Sequence, residues 1–256
     1  MKKKEIALVL SQKEIAPRIY DMWIQTQLAG QARPGQFICV YPRDRATLLP
    51  RPISVCEVNR SRDVLRIVYR VAGAGTEEFS HYKAQDPIAV MGTLGNGFPV
   101  EEAVGKTVFL IGGGIGIPPI LELAKEMDAK KQILLGYRDG NTFLREELEK
   151  YGRVYVAAED CSVGTRGNVL DAAAKNCLEA EMIFACGPMP MLRAVKHYAG
   201  EKGIKAYISL EEHMACGVGA CLGCVVKTKN LDSHSHVHNA RICTEGPVFL
   251  ADDVEI

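Results

Sequence analysis

The chain has 256 residues, with 31 Lys plus Arg balanced by 31 Asp plus Glu and 47% apolar side chains. That length suffices for two compact domains and a small appendage, and the charge balance excludes a partner recognised through bulk charge, such as nucleic acid or an anionic membrane. Nine cysteines, an odd number with four in one metal-type grouping, fit a reducing compartment, expected to be the cytoplasm, better than a disulfide scaffold.

Met1-Lys2-Lys3-Lys4 followed by Ile6 to Leu10 has the opening of a signal peptide, but Ser11-Gln12-Lys13-Glu14 ends the apolar run short of the roughly 7 to 15 residues a secretory core needs. No stretch approaches the roughly 18 apolar residues of a membrane span. From residue 5 to about 100 the pattern is one of short β-like runs broken by Gly, Pro and Asp: Phe37 to Tyr41, Ile53 to Val58, Leu65 to Val71 and Ile88 to Met91. The stretch from Asp63 to Val71 alternates apolar and polar side chains, which predicts a half-buried antiparallel strand, and the whole reads as a small barrel or sandwich. A short helix is predicted after Thr76, through Tyr82.

Near residue 103 the pattern changes. Thr107 to Ile111 is a continuous apolar run of the buried parallel kind, followed by a glycine turn and a helix from Ile120 to Met127. Strand and helix then alternate: Gln132 to Tyr137 and Phe143 to Tyr151, Val154 to Ala158 and Val169 to Lys175, Met182 to Cys186 and Met189 to Ala199, and a last strand from Ala206 to Leu210. Five buried strands with intervening helices predict an open, doubly wound parallel sheet. The expected division is therefore 1–101 for an antiparallel β-barrel, 102–210 for an α/β nucleotide domain and 211–256 for a small cysteine-rich segment that needs a bound centre as its core.

That last segment carries Cys216, Cys221 and Cys224 in C-x4-C-x2-C spacing, completed by Cys243. Plant-type ferredoxins hold a [2Fe-2S] cluster with this spacing. Gly217, Gly219 and Gly223 let the backbone curl around a compact centre. A structural zinc site is the competing reading, although zinc is more often held by two separated C-x2-C arms. Cys39, Cys56, Cys161 and Cys177 are expected to be ordinary small apolar residues. His234, His236 and His238 alternate in the loop before Cys243 and are read as part of an expanded polar hairpin.

Four further stretches suit anionic cofactors. Arg51-Pro52-Ile53-Ser54 opens a strand with a guanidinium and a hydroxyl, and Gly73-Ala74-Gly75-Thr76 offers close backbone approach before a helix. Gly112-Gly113-Gly114-Ile115-Gly116 follows a buried strand but departs from G-x-G-x-x-G, so an ordinary Rossmann fingerprint is not expected. Cys186-Gly187-Pro188 ends the fourth strand, where ligands of such sheets sit.

Taken in order, these motifs resemble the ferredoxin reductase-like family over nearly the whole chain. Within it, the cysteine segment ending in Cys243-Thr244-Glu245-Gly246-Pro247-Val248-Phe249 resembles the electron-transfer subunits of NAD-dependent dihydroorotate dehydrogenases. The resemblance implies FAD bound by Arg51, Pro52, Ile53, Ser54, Val68, Tyr69, Arg70, Gly73, Gly75 and Thr76. It implies NAD bound by Gly112, Gly113, Gly114, Gly116, Cys186, Gly187 and Pro188, and a [2Fe-2S] cluster on the four cysteines. It also implies an FMN-containing catalytic partner, two copies of each chain, in the oxidation of dihydroorotate to orotate in pyrimidine biosynthesis, with no catalytic acid or base on this chain. Two departures stand out: relatives often carry an aromatic at the position of Ile53, and the His-containing insertion is unusual. The alternatives are the small subunit of a ferredoxin-dependent transhydrogenase or sulfide dehydrogenase, and a zinc-stabilised binding module. NAD is expected over NADP, with Arg138 as the one nearby cation that could favour a 2′-phosphate.

Overall fold

The computed structural model describes residues 4–44, 46–232 and 236–256. Six strands, β1 (Lys4–Ala16), β2 (Ile19–Gln25), β3 (Phe37–Tyr41), β4 (Arg51–Asn59), β5 (Val64–Arg70) and β6 (Pro87–Leu94), close a barrel in the order β1-β2-β5-β4-β3-β6. Every neighbouring pair is antiparallel. The interior is filled by alternate residues of each strand, among them Val9, Met22, Ile24, Ile38, Val40, Val55, Leu65 and Ile67. Helix α1 (Ala74–Ser80) adds Phe79 to that core. Strands β1 and β2 precede the first strand expected from sequence, because the charged positions Glu5, Lys13 and Glu14 on β1 break its apolar run.

The expectation of a half-buried strand at 63–71 is corrected: β5 is buried on both faces. Leu65, Ile67 and Tyr69 point into the barrel, while Val68 joins the core of the second domain. Arg66 is buried between the two, its guanidinium 2.8 and 2.9 Å from the carboxylate oxygens of the equally buried Asp21 and 2.6 Å from Glu147 of the second domain. Glu57 accepts a further hydrogen bond at 3.2 Å, and the Trp23 ring lies against the guanidinium. A guanidinium with several donors tolerates burial only when carboxylates satisfy them.

The second domain is a sheet of β7 (Thr107–Gly113), β8 (Lys130–Tyr137), β9 (Arg153–Ala158), β10 (Thr165–Arg166), β11 (Met182–Cys186) and β12 (Lys205–Ser209), all parallel, in the order β10-β9-β8-β7-β11-β12. Helices α2 (Pro118–Glu126) and α3 (Arg145–Leu148) pack on the barrel-facing side, and α4 (Val169–Lys175) and α5 (Met189–Lys202) on the other. The helix expected over 143–151 shrinks to the single turn α3, because Leu144 takes a left-handed φ of 62° and Phe143 turns back edge-on to Tyr137. Helix α2 is buried along most of its length, Glu122 included, and Glu122 accepts a hydrogen bond from the Val58 N–H of β4 at 3.0 Å. Burial, with the Glu126 carboxylate close by, lifts the Glu122 carboxyl to about 7 against the pull of Lys125, 3.5 Å away.

In the tail, β13 (Val225–Lys227) and β14 (Asn239–Arg241) form a hairpin, and β15 (Val248–Leu250) runs antiparallel along β12 as the edge of the large sheet. Asn96, from the end of the barrel, donates to the carbonyls of Glu245 (2.9 Å) and Val248 (2.7 Å). The cysteine segment is thus stitched to both domains. No helix among the described residues is long and apolar enough to cross a membrane.

Candidate functional site

The strand order puts β7 between β8 and β11, so the chain leaves the sheet in opposite directions on either side of β7. A cleft of about 1000 Å³ opens there, beyond the carboxyl ends of the strands. Gly113, Gly114, Gly187 and Pro188 of the sequence-predicted set line it, together with Arg70 reaching over from the barrel. A Cβ on Gly114, which holds φ 51°, would lie 3.3 Å from the Arg70 guanidinium. Gly116 and Cys186 do not line the cleft. A Cβ on Gly116 would sit 2.3 Å from the Cys186 carbonyl oxygen and 2.5 Å from the Gly187 nitrogen, so this glycine lets two turns pack backbone to backbone. The Cys186 thiol is buried, which pushes its pKa up, and it bonds to Ser209.

Sequence reading missed four charged cleft residues: Arg18 from the β1–β2 turn, Asp139 beyond β8, Glu159 beyond β9 and Glu211 beyond β12. Asp139 had a legible signal, since an acid just past the second strand is where a ribose diol is expected. One of its oxygens accepts from the Asn141 backbone and side-chain N–H groups at 2.9 and 2.8 Å. Glu211 is exposed at the mouth of the cleft, where desolvation by the surrounding protein raises its carboxyl and Arg70 opposes the shift.

The barrel brings the two stretches assigned to FAD together. Arg51 lies over Gly75, where a Cβ would be 2.8 Å from its Nε and 2.9 Å from its Cζ. The Thr76 hydroxyl accepts the N–H groups of Ala72 and Gly73 at 2.9 and 3.1 Å, which fixes the turn before α1. Pro52 and Ser54 are partly exposed on β4, whereas Ile53 is in the barrel core. The side chains of Val68 and Tyr69 are likewise buried, Tyr69 donating to Gln12 Oε1 at 2.7 Å and meeting Phe79 edge-on. Of Val68, Tyr69 and Arg70, only Arg70 lines the cleft.

The four cysteines come near one another as two pairs, Cys216 with Cys221 and Cys224 with Cys243. The Val218 N–H donates to Cys216 Sγ (3.4 Å) and the Gly219 N–H to Cys243 Sγ (3.2 Å), with Gly217 and Gly219 at φ 69° and 81°. Partial burial raises the Cys216 thiol, but the N–H groups of Val218, Cys221 and Ala220 outweigh it and bring it to about 7. Burial, with the bond from Cys224, pushes Cys243 up to about 12. Among the described residues no group of three or more Cys, His, Asp or Glu closes around a single ion. Two thiol pairs with backbone donors aimed at sulfur suit the two irons of a [2Fe-2S] cluster better than one tetrahedral zinc. His236 and His238 are exposed beyond the β13–β14 hairpin, His238 Nδ1 lying 2.9 Å from the Lys229 carbonyl; His234 lies outside the described residues. Cys39 and Cys56 are buried as expected, but Cys161 and Cys177 are exposed at left-handed turns, so they are not core residues.

Residues 211–255 match the iron-sulfur cluster binding domain of dihydroorotate dehydrogenase B, and residues 110–197 match the oxidoreductase NAD-binding domain. A Listeria welshimeri protein named dihydroorotate dehydrogenase B (NAD(+)), electron transfer subunit, is 39% identical over 254 residues, 97% of each chain. A Fusobacterium nucleatum protein of the same name is 42% identical over 254 residues, 95% of each chain. This chain belongs to that family, the dihydroorotate dehydrogenase B electron-transfer subunits. Among solved structures, this family member is similar to an NADH-dependent reduced ferredoxin-NADP oxidoreductase, with a TM-score of 0.86 and 28% identity over 100% of this chain and 91% of the other. A ferredoxin NADP+ reductase from Neisseria gonorrhoeae, at a TM-score of 0.66 and 17% identity over 83% of this chain and 95% of the other, shares the fold.

Proposed function

We infer that the chain is the electron-transfer subunit of an NAD-dependent dihydroorotate dehydrogenase, carrying electrons from an FMN-containing catalytic subunit to NAD+ as dihydroorotate is oxidised to orotate. The observation that carries this reading is the docking of the four-thiol tail on the barrel of a chain that also holds a cleft at the switch point of its sheet. When bound, the [2Fe-2S] cluster supplies single-electron steps and FAD joins them to the hydride chemistry of NAD.

Each part of the chain has a positioning task. Cys216, Cys221, Cys224 and Cys243 would hold the cluster, with the Val218 and Gly219 N–H groups turned to the sulfurs of Cys216 and Cys243. Arg51 supplies a fixed charge for the flavin's pyrophosphate, beside the Gly73-to-Thr76 turn, and Ser54 a hydroxyl on the same strand. The backbone around Gly113 and Gly114 lets a dinucleotide pyrophosphate approach closely, while Asp139 and Glu159 suit a free ribose diol and disfavour a 2′-phosphate, offsetting Arg138. Hydride transfer between flavin and nicotinamide demands orientation, so no acid or base is needed here. Assembly as two copies of each subunit, the division at 1–101, 102–210 and 211–256, and a cytoplasmic setting complete the reading.

The test is an anaerobic titration of the purified chain with NADH, followed by visible absorption and EPR. Bleaching of a flavin band with growth of a reduced [2Fe-2S] signal is the expected result, as is NADH oxidation by artificial acceptors without dihydroorotate oxidation. A colourless, zinc-containing chain, or dihydroorotate oxidation by the chain alone, overturns the assignment.

A further inference from the structure

Among the barrel side chains that meet the cysteine loop, Cys39 is a thiol that the iron-sulfur reading leaves unused. The register of β3 sets Cys39 opposite Pro52 on β4, within the stretch assigned to FAD, and opposite Met91 on β6. Its neighbours Ile38 and Val40 point into the barrel, so Cys39 points out, and the tail covers it completely. The apolar cluster around it unites Phe37, Met91 and Leu94 of the barrel with Met214, Cys224 and Cys243 of the tail. A Cβ on Gly217 would lie 3.0 Å from the Cys39 sulfur, so the glycine at φ 69° is what lets the loop close onto that thiol.

The thiol makes no hydrogen bond among the described residues, and it packs in one cluster with Cys224 and Cys243. A free Cys in its ordinary form carries a proton on sulfur. Valine would fill a similar space; what a thiol adds there is a weak S–H donor. We propose that Cys39 is a positioning and tuning residue of the iron-sulfur centre, donating its S–H to sulfur of the centre held by the 216–224 loop and so raising the reduction potential. The inference rests on the iron-sulfur reading above. Its direction follows from charge: the reduced centre carries one more negative charge than the oxidised one, so a donor to sulfur stabilises the reduced form. The placement also makes Cys39 the point where the loop meets the wall of the barrel one strand away from Pro52.

The experiment is an EPR-monitored redox titration of the full-length purified chain as wild type, Cys39→Val and Cys39→Ser, with iron and sulfide content measured on each. The expected result is a full cluster in all three, a midpoint potential shifted to more negative values in Cys39→Val, and a potential near the wild-type value in Cys39→Ser, where the hydroxyl donates instead. Unchanged potential and line shape in Cys39→Val overturn the proposal, as does loss of the cluster from both variants, which marks a role in packing alone. Cluster loss from Cys39→Val with retention in Cys39→Ser supports the donor role. Absence of iron, sulfide and EPR signal from the wild type defeats the iron-sulfur reading itself, an outcome distinct from the others.

Discussion

The parallel sheet and the cysteine tail share an edge at β15, yet they are held by different forces. In β7 and β11, Val108, Phe109, Leu110, Ile111, Ile183, Phe184 and Ala185 are all fully buried. Such strands are stabilised by apolar burial on both faces, at about 25 cal/mol per Å². Between Met214 and Cys224 the tail forms no strand, and Val218 and Leu222 are exposed. Its few buried side chains include two of the four thiols, Cys224 and Cys243. The contrast teaches that the first region needs no ligand to fold, whereas the second is closed by what its thiols bind.

The sharpest way to break that comparison is Cys243→Ser. Complete loss of tail-bound iron and rapid proteolysis within 211–247 are expected, with NADH binding to the cleft retained; limited proteolysis and iron analysis decide it, and a variant that keeps its iron contradicts the division. Next in size is Arg66→Ala, which leaves Asp21 buried with an uncompensated charge between barrel and sheet. A loss of about 3–5 kcal/mol in denaturant unfolding is expected, largely recovered when Asp21→Leu accompanies Arg66→Met.

Gly116→Ala forces a methyl against the Cys186 carbonyl and is expected to cost about 1–3 kcal/mol through overpacking, read as a lower Tm without loss of iron. For the cleft, Asp139→Ala is expected to raise KM for NADH about tenfold, the value of one hydrogen bond to a charged group, while KM for NADPH stays level or falls. Equal weakening of both nucleotides removes Asp139 from the selectivity argument.

The smallest effect concerns Glu122 at the joint between α2 and β4. Its folded pKa of about 7 exceeds the ordinary 4.5, so the folded chain holds a proton that the unfolded chain has already released in that window. Stability from this group is therefore present below about pH 4.5 and lost as pH rises through 7. Relative to Glu122→Gln, the wild type should lose on the order of 1 kcal/mol between pH 5 and 8, measured as the difference of the two unfolding curves; parallel curves defeat the prediction.

Legibility in the sequence followed the range of the force at work. Strands Phe37–Tyr41 and Met182–Cys186 and helix Val169–Lys175 coincide with β3, β11 and α4, because continuous or periodic apolar runs act over a few residues. The cysteine spacing was legible for the same reason, since three thiols spaced within one short loop are a local pattern. Other features were set by contacts between residues far apart in the chain. The outer face of β5 is buried because α3 supplies Glu147 to Arg66, which no periodicity within 63–71 encodes. Arg51 meets Gly75, Glu211 enters the cleft and Cys39 faces the cysteine loop only once the barrel closes and the tail returns along β12. By itself the sequence determined the order of elements and the chemistry each could hold, through local pattern and residue type. The tertiary structure alone decided which of those residues face a cofactor and which are sealed in the core, because burial is a property of packed surfaces and not of any one segment.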